Sequence, residues 1–208
     1  MILVYDVETT GFPSRAGFDR YFDYRDSARY DGARVVQLCA LLFDGGGARA
    51  AALAETVRPD GFTIENSHVH GVTTEAALRA GRPFAELAAG FGALLERADL
   101  LVAHNAAFDQ HVLAAELHRQ GFGDLAEALA RAPHACTMRE GTALCKLPLP
   151  AAGPSQRSRC RQEEGYKSPR LQELHQQLFG AGFANPHNAE ADACATARCF
   201  FEMRSGRR

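Results

Sequence analysis

Residues 1–12 read MILVYDVETTGF. The run Ile2 to Val7 has the length and apolar content of a buried strand, and it stops in Thr9, Thr10 and Gly11, which favour a turn. Side chains alternate along an extended chain, so Asp6 and Glu8 point to one face while Val7 takes the other. Two carboxylates aimed at one point repel, and each raises the other's pKa unless a cation lies between them. Hard divalent ions that prefer oxygen ligands, Mg²⁺ or Mn²⁺, fit that need. An Asp-x-Glu pair is common on solvated surfaces, so the reading depends on what the rest of the chain brings to it.

After this strand, residues 14–33 are polar and flecked with aromatics, follow neither the helical nor the strand period, and read as a surface loop. Arg34 to Phe43 reads as a second strand, Asp44 to Gly47 as a glycine turn and Ala51 to Val57 as the partner strand. Together with the first strand they suggest an antiparallel meander. Thr74 to Ala80 and Pro83 to Ala98 have helical spacing, the latter with Phe84, Leu87, Phe91, Leu94 and Leu95 on one face. Leu100 to Ala103 is a short strand, followed by a helix over Phe108 to Gln120. Residues 146–168, rich in Pro, Gly, Ser and Arg, read as a second surface loop. Helices Pro169 to Phe179, closed by Gly180, and Ala189 to Met203 complete the chain. Strands followed by alternating helices and strands predict one α/β domain over 1–208, with a mixed central sheet flanked by helices.

The bulk numbers agree with such a domain. Of 208 residues, 46% are hydrophobic and 23% charged, a composition that can bury a core without disulfide or structural metal. The six cysteines, Cys39, Cys136, Cys145, Cys160, Cys194 and Cys199, include no CxxC pair and read as reduced, hence a cytoplasmic setting. The N-terminus lacks the basic region of a signal peptide, and no stretch is long and apolar enough for a membrane span. A net charge of −2 does not exclude a polyanionic partner. If four carboxylates are committed to cations, the remainder carries −2 + 4 = +2, and residues 146–170 hold six basic side chains against two acids.

Two further motifs put acids beside a strand end. HNAAFD, His104 to Asp109, places Asp109 in the first turn of a helix, where an acid is also favoured by the helix dipole alone. Asn105 reads equally as a helix cap and Phe108 as core. HNAEAD, His187 to Asp192, spans five positions, which on a continuous helix would separate the two side chains by about 140°. His187 therefore belongs on the loop before the helix and Asp192 on its first turns. Glu190 reads as solvent-facing.

Taken in order, DVETTG, HNxxFD and HxxxxD resemble the DEDDh branch of the DnaQ-like 3′-to-5′ exonucleases. RVVQL at Arg34 to Leu38, HGVT at His70 to Thr73, CTM at Cys136 to Met138 and YKSPRLQELHQQLFG at Tyr166 to Gly180 extend the likeness over nearly the whole chain. The resemblance implies a ribonuclease H-like fold and metal-dependent release of nucleoside 5′-monophosphates from a nucleic-acid 3′ end. It also implies that Asp6, Glu8, Asp109 and Asp192 hold two divalent cations, Mg²⁺ or Mn²⁺, with His187 as general base. A histidine's ordinary titration near neutrality suits that task. Thr9, Thr10, Gly11 and Phe12 would meet the terminal nucleotide, and His70, Asn105 and Phe108 line the same cleft in relatives. DNA is favoured over RNA as partner, although no residue announces the sugar. A polymerase complex or a homodimer is the further association the family suggests.

Two other readings compete. A non-catalytic nucleic-acid-binding module, or a proofreading or docking subunit of a polymerase complex, would share the fold, but degenerate modules usually lose a ligand and none is missing. A zinc site on His134, Cys136 and Cys145, or on Cys194 and Cys199, lacks the paired short spacings that zinc favours. His68, His111, His118, His134 and His175 read as structural. The basic residues Arg157, Arg159, Arg161 and Lys167 read as a solvated loop able to contact phosphates.

Overall fold

A computed structural model of the chain describes residues 1–17, 20–149, 162–163 and 165–206. The chain runs through β1 (Ile2–Thr9), a short hairpin of β2 (Arg15–Gly17) and β3 (Arg20–Tyr21), and a 3-10 turn at Ser27–Tyr30. Then come β4 (Val35–Phe43), β5 (Arg49–Thr56), α1 (Ser67–His70), α2 (Thr74–Ala80), α3 (Phe84–Leu95) and β6 (Leu100–Ala103). It continues through α4 (Ala106–Arg119), α5 (Gly123–Arg131), β7 (His134–Cys136), α6 (Thr137–Cys145) and a second hairpin of β8 (Gln162–Glu163) and β9 (Tyr166–Lys167). It closes on α7 (Leu171–Phe179) and α8 (Ala189–Ser205). The main sheet has the order β5-β4-β1-β6-β7. Its first three strands are antiparallel, while β1, β6 and β7 run parallel.

This is the mixed sheet the sequence predicts. The main core lies on the sheet face that carries Leu3, Tyr5 and Val7, where Phe91 of α3 and Leu113 and Leu117 of α4 pack. Helix α8 covers the opposite face through Ala193 against Cys39 and Leu41, and through Phe200 against Val4 and Val102. The alternation read from residues 2–9 thus divides one strand between two layers.

One asymmetry of the sheet matters for everything below. β4 accompanies β1 along its whole length, but β6 pairs only with Ile2, Leu3 and Val4. The carboxyl half of β1, which carries Asp6 and Glu8, therefore projects past β6 with one edge free of strand pairing. Beyond Glu8 the ladder with β4 also shifts register, Glu8 facing Gln37 and Thr9 facing Val35. A bulge of this kind bends the strand and re-aims its side chains.

Helix boundaries fall within a few residues of those predicted. α4 starts earlier, at Ala106, because Asn105 takes a left-handed backbone (φ 71°) that turns the chain sharply from β6 into the helix. The short α1, α5, β7 and α6 were not anticipated. Residues 14–33 hold more order than an irregular loop: Tyr24 and Tyr30 are buried in the main core. Phe12, Tyr21 and Tyr24 set their rings against Phe108, His111 and His118 of α4. Of the second loop, Arg157, Arg159 and Arg161 lie outside the described residues, whereas Lys167 is ion-paired with Glu173. Among the described residues no helix is long and apolar enough to cross a membrane.

Candidate active site

Three elements bring the acids together. β1 supplies Asp6 and Glu8 from the end that pairs with β4 alone. Asp109, in the first turn of α4, fills that open edge: its Oδ1 accepts the backbone N–H of Val7 at 3.2 Å. Asp109 is 3% exposed, so its charge is set into the wall of the site. α8 supplies Asp192 from its first turns, and its N-cap Asn188 fixes the helix start by accepting the N–H of Ala191 at 3.1 Å. His187 stands on the preceding loop, exposed, in a left-handed backbone conformation (φ 64°). Its backbone N–H donates to Asp192 Oδ2 at 3.2 Å. The loop-plus-helix placement read from the five-residue spacing is therefore what the chain adopts.

Ligand atoms of Glu8, His187 and Asp192 lie within 4.8 Å of one another. Asp6 and Asp109 adjoin them closely enough that the four carboxylates disturb one another's titration. Burial, then the charges of Asp109, Asp192 and Glu8, holds Asp6 well above the usual carboxylate range. Burial does the same to Asp109, opposed by its hydrogen bond from Val7. Glu8 is pushed up to about 7 by burial and by Asp192. Asp192 rises to about 6, burial outweighing the hydrogen bond and charge of His187. Mutual destabilisation of this kind is relieved by positive charge. Asp192 Oδ1 is buried without a hydrogen-bond partner, an acceptor left for a ligand outside the protein. The donor set, all carboxylate oxygen plus one imidazole, fits a hard divalent ion.

The turn beyond Glu8 is built as a rigid frame. Thr9 donates its hydroxyl to the carbonyl of Gly11 at 2.7 Å. Thr10 donates its backbone N–H to the Arg34 carbonyl, and its hydroxyl accepts the Arg34 N–H, both at 2.9 Å. Gly11 passes so close to Gly32 that a Cβ there would sit 2.8 Å from its carbonyl oxygen, which is why no larger residue fits. The two threonine hydroxyls are thus spent within the turn. Phe12 is 78% exposed, its ring edge-on to Phe108 at 6.0 Å, so core packing does not account for it.

The other residues of the predicted cleft differ in placement. Asn105 makes no capping bond, and its Oδ1 is buried without a partner. His70 is 7% exposed, and both ring nitrogens are engaged, Nε2 with Asn66 and Nδ1 with Val72. That leaves neither nitrogen for a nucleotide. His104, next to Asn105, is a half-buried pin. Its Nε2 faces the Pro169 carbonyl at 3.1 Å and its Nδ1 the Thr137 hydroxyl at 3.0 Å. Burial pushes it down to about 4, so it is neutral and structural. Sequence reasoning passed over Asn66 and the buried pair Arg34–Glu116, which frame the turn from a distance.

The competing zinc reading fails on its histidine, because His134 uses Nε2 on the Tyr5 hydroxyl and Nδ1 on the Ala132 carbonyl. Among the described residues, Glu8, His187 and Asp192 form the only group of three or more His, Cys, Asp or Glu side chains placed to share an ion. Glu190 is exposed, as expected. His111 and His175 likewise serve the fold, each bonded to a backbone carbonyl. An open groove of about 710 Å³ between α3 and α5 is lined mainly by alanine, glycine and leucine and holds none of these residues.

An α/β domain whose sheet runs antiparallel-antiparallel-parallel-parallel, with acids gathered at the end of its central strand where one edge is free, has a ribonuclease H-like fold. The sequence profile of the exonuclease family (RNase_T) matches residues 3–200, and the chain belongs to that family, of DnaQ-like kind. E. coli exonuclease I in complex with a dT13 oligonucleotide superimposes with a TM-score of 0.70 at 19% identity, over 99% of this chain and 41% of that one. The zinc-ion-bound form of its complex with single-stranded DNA gives 0.70 at 19%, over 99% and 40%. A further exonuclease I structure gives 0.70 at 20%, over 98% and 40%. At such identities the likeness is one of fold. The chain spans about two fifths of the length of these exonuclease I chains. No curated protein matches it.

Proposed function

We propose that the chain is a divalent-metal-dependent 3′-to-5′ exonuclease that hydrolyses the terminal phosphodiester bond of single-stranded DNA and releases a nucleoside 5′-monophosphate. The observation that carries this reading is the convergence of Glu8, His187 and Asp192 within 4.8 Å beside the half-buried Asp6 and the buried Asp109. The oligonucleotides bound by the exonuclease I structures support DNA as the substrate.

Asp6, Glu8, Asp109 and Asp192 would hold two cations. When bound, these supply Lewis-acid stabilisation to the attacked phosphate and to the departing oxygen. The remaining work belongs to the chain. His187, exposed at the rim, accepts the proton of the attacking water as its oxygen bonds to phosphorus. The P–O3′ bond then breaks, and the 3′-oxygen takes a proton from solvent. The backbone N–H of His187 is tied to Asp192, and a ring nitrogen of His187 lies within 4.8 Å of the Glu8 and Asp192 oxygens, at the mouth of the acid cluster. Phe12 offers an exposed ring for the terminal base or sugar to stack on, and the Thr9–Gly11 turn presents a rigid backbone edge beside it.

The test is incubation of purified protein with 5′-end-labelled single- and double-stranded DNA and RNA, in Mg²⁺, Mn²⁺ or chelator. A ladder shortening from the 3′ end only with metal is expected. His187→Ala should lower kcat by about 10²- to 10⁴-fold, the usual contribution of a general base, and Asp6→Ala should abolish turnover. Full activity in both variants, or in chelator, would falsify the reading.

A further inference from the structure

Asn66 occupies the N-cap position of α1, where an asparagine ordinarily accepts a helix N–H, yet its side chain makes no capping bond. The amide is turned outward instead. Its Nδ2 donates to the carbonyl of Thr9 at 2.8 Å, across 57 positions of sequence. Its Oδ1 meets His70 Nε2 at 3.2 Å. The Val72 N–H points at His70 Nδ1, also at 3.2 Å, so Nδ1 is the acceptor and Nε2 carries the proton. That proton fixes which way round the Asn66 amide lies: oxygen to His70, nitrogen to Thr9. The result is a one-directional chain of donors, His70 to Asn66 to Thr9.

The point of attachment is the Thr9–Thr10 peptide, one residue beyond Glu8. There the ladder to β4 has just slipped register, and β6 ended five residues earlier. The end of β1 therefore has less strand pairing than its beginning. It is held instead by Asp109 on Val7, by Arg34 on Thr10 and by Asn66 on Thr9. Of these, only the Asn66 bond holds a backbone carbonyl, that of the residue next to Glu8. We propose that Asn66 is a positioning residue for the active site, tethering Thr9 so that Glu8 stays aimed at Asp192 and His187. His70 acts only through Asn66, by setting its amide. This assignment rests on the exonuclease reading for its chemistry, and it replaces direct contact between His70 and substrate.

The discriminating variant is Asn66→Asp, which keeps size, the oxygen facing His70 and the competence to cap a helix, and replaces the N–H given to Thr9 with a charged carboxylate oxygen that the Thr9 carbonyl repels. Hydrogen exchange followed by mass spectrometry should show residues 8–12 exchanging several-fold faster in Asn66→Asp, with α5 unchanged. Calorimetric Mn²⁺ binding without substrate should weaken by about 10-fold, the low end of what loss of a residue behind a metal ligand costs. Adding His70→Ala to Asn66→Asp should change neither readout further, whereas independent contributions would add. Wild-type exchange at residues 8–12 in Asn66→Asp, or additivity with His70→Ala, overturns the assignment. A wild-type protein that degrades no nucleic acid but shows the exchange pattern would sink the exonuclease reading and leave the tether standing.

Discussion

Arg34 and Glu116 carry opposite charges into the interior, with side chains 10% and 4% exposed, and meet in a two-pronged contact at 2.8 and 2.9 Å. The guanidinium also lies 4.3 Å from the Phe62 ring centre, while the Arg34 backbone holds Thr10 from both sides. Removing one partner leaves the other buried and uncompensated, so Glu116→Ala should destabilise the protein by about 3–5 kcal/mol, read from denaturant midpoints. A destabilisation below about 1 kcal/mol would mean the pair behaves like a surface bridge. Phe12 predicts the reverse pattern. Because its ring is exposed, Phe12→Ala should leave the melting temperature unchanged while weakening oligonucleotide binding by about 1–3 kcal/mol, the worth of one base-stacking platform. Asp6 and Glu8 could be read from sequence because a two-residue period is a local rule. Asn66 to Thr9 and Arg34 to Glu116 span 57 and 82 positions, and no local rule reports a bond of that reach.

At the level of elements, periodicity carried β1, β4, β5, α3, α4 and α8, each long enough for its apolar pattern to exceed chance. It failed for β7, three residues that pair only with β6, and for α5, a helix of nine residues behind a glycine turn. β7 is made by the strand beside it, and α5 ends at Ala132 without the closing glycine that marks the equally short α7 at Gly180. The excursion between β1 and β4 is the instructive case. Its aromatics have no period because they are spaced to meet α4 across the surface, while Arg119 of α4 reaches back to Asp31 and to the Ser27 carbonyl. Tyr30 is 1% exposed, and its hydroxyl donates to the Phe22 carbonyl at 2.6 Å. Tyr30→Ala should therefore cost about 3–5 kcal/mol, as for other large aromatics in a core. Tyr30→Phe, which removes only the hydrogen bond, should cost about 1 kcal/mol. Equal, small losses in thermal melts would return this segment to the status of a loose surface loop.

For the molecule as a whole, the acid cluster joins β1, α4 and the start of α8, and its electrostatics set the stability of all three together. Folding without metal forces Glu8 and Asp192 up to about 7 and about 6, and burial and proximity raise Asp6 and Asp109 in the same direction. A group whose pKa is higher folded than unfolded binds protons more tightly in the native state. Its contribution is complete below the unfolded carboxylate value and drains away as pH rises through the folded one. The metal-free protein should therefore lose melting temperature steadily between about pH 5 and pH 8, the opposite of ordinary acid denaturation. A divalent cation substitutes for those protons. Saturating Mn²⁺ should flatten the profile and, at about 100 times its dissociation constant, add about 2.7 kcal/mol. Because protons and cations compete for the same oxygens, the cation midpoint should fall as pH climbs over the same window. Melts in chelator that stay level across that window would mean the carboxylates do not share a site, and the convergence on which the proposed chemistry depends would be lost with them.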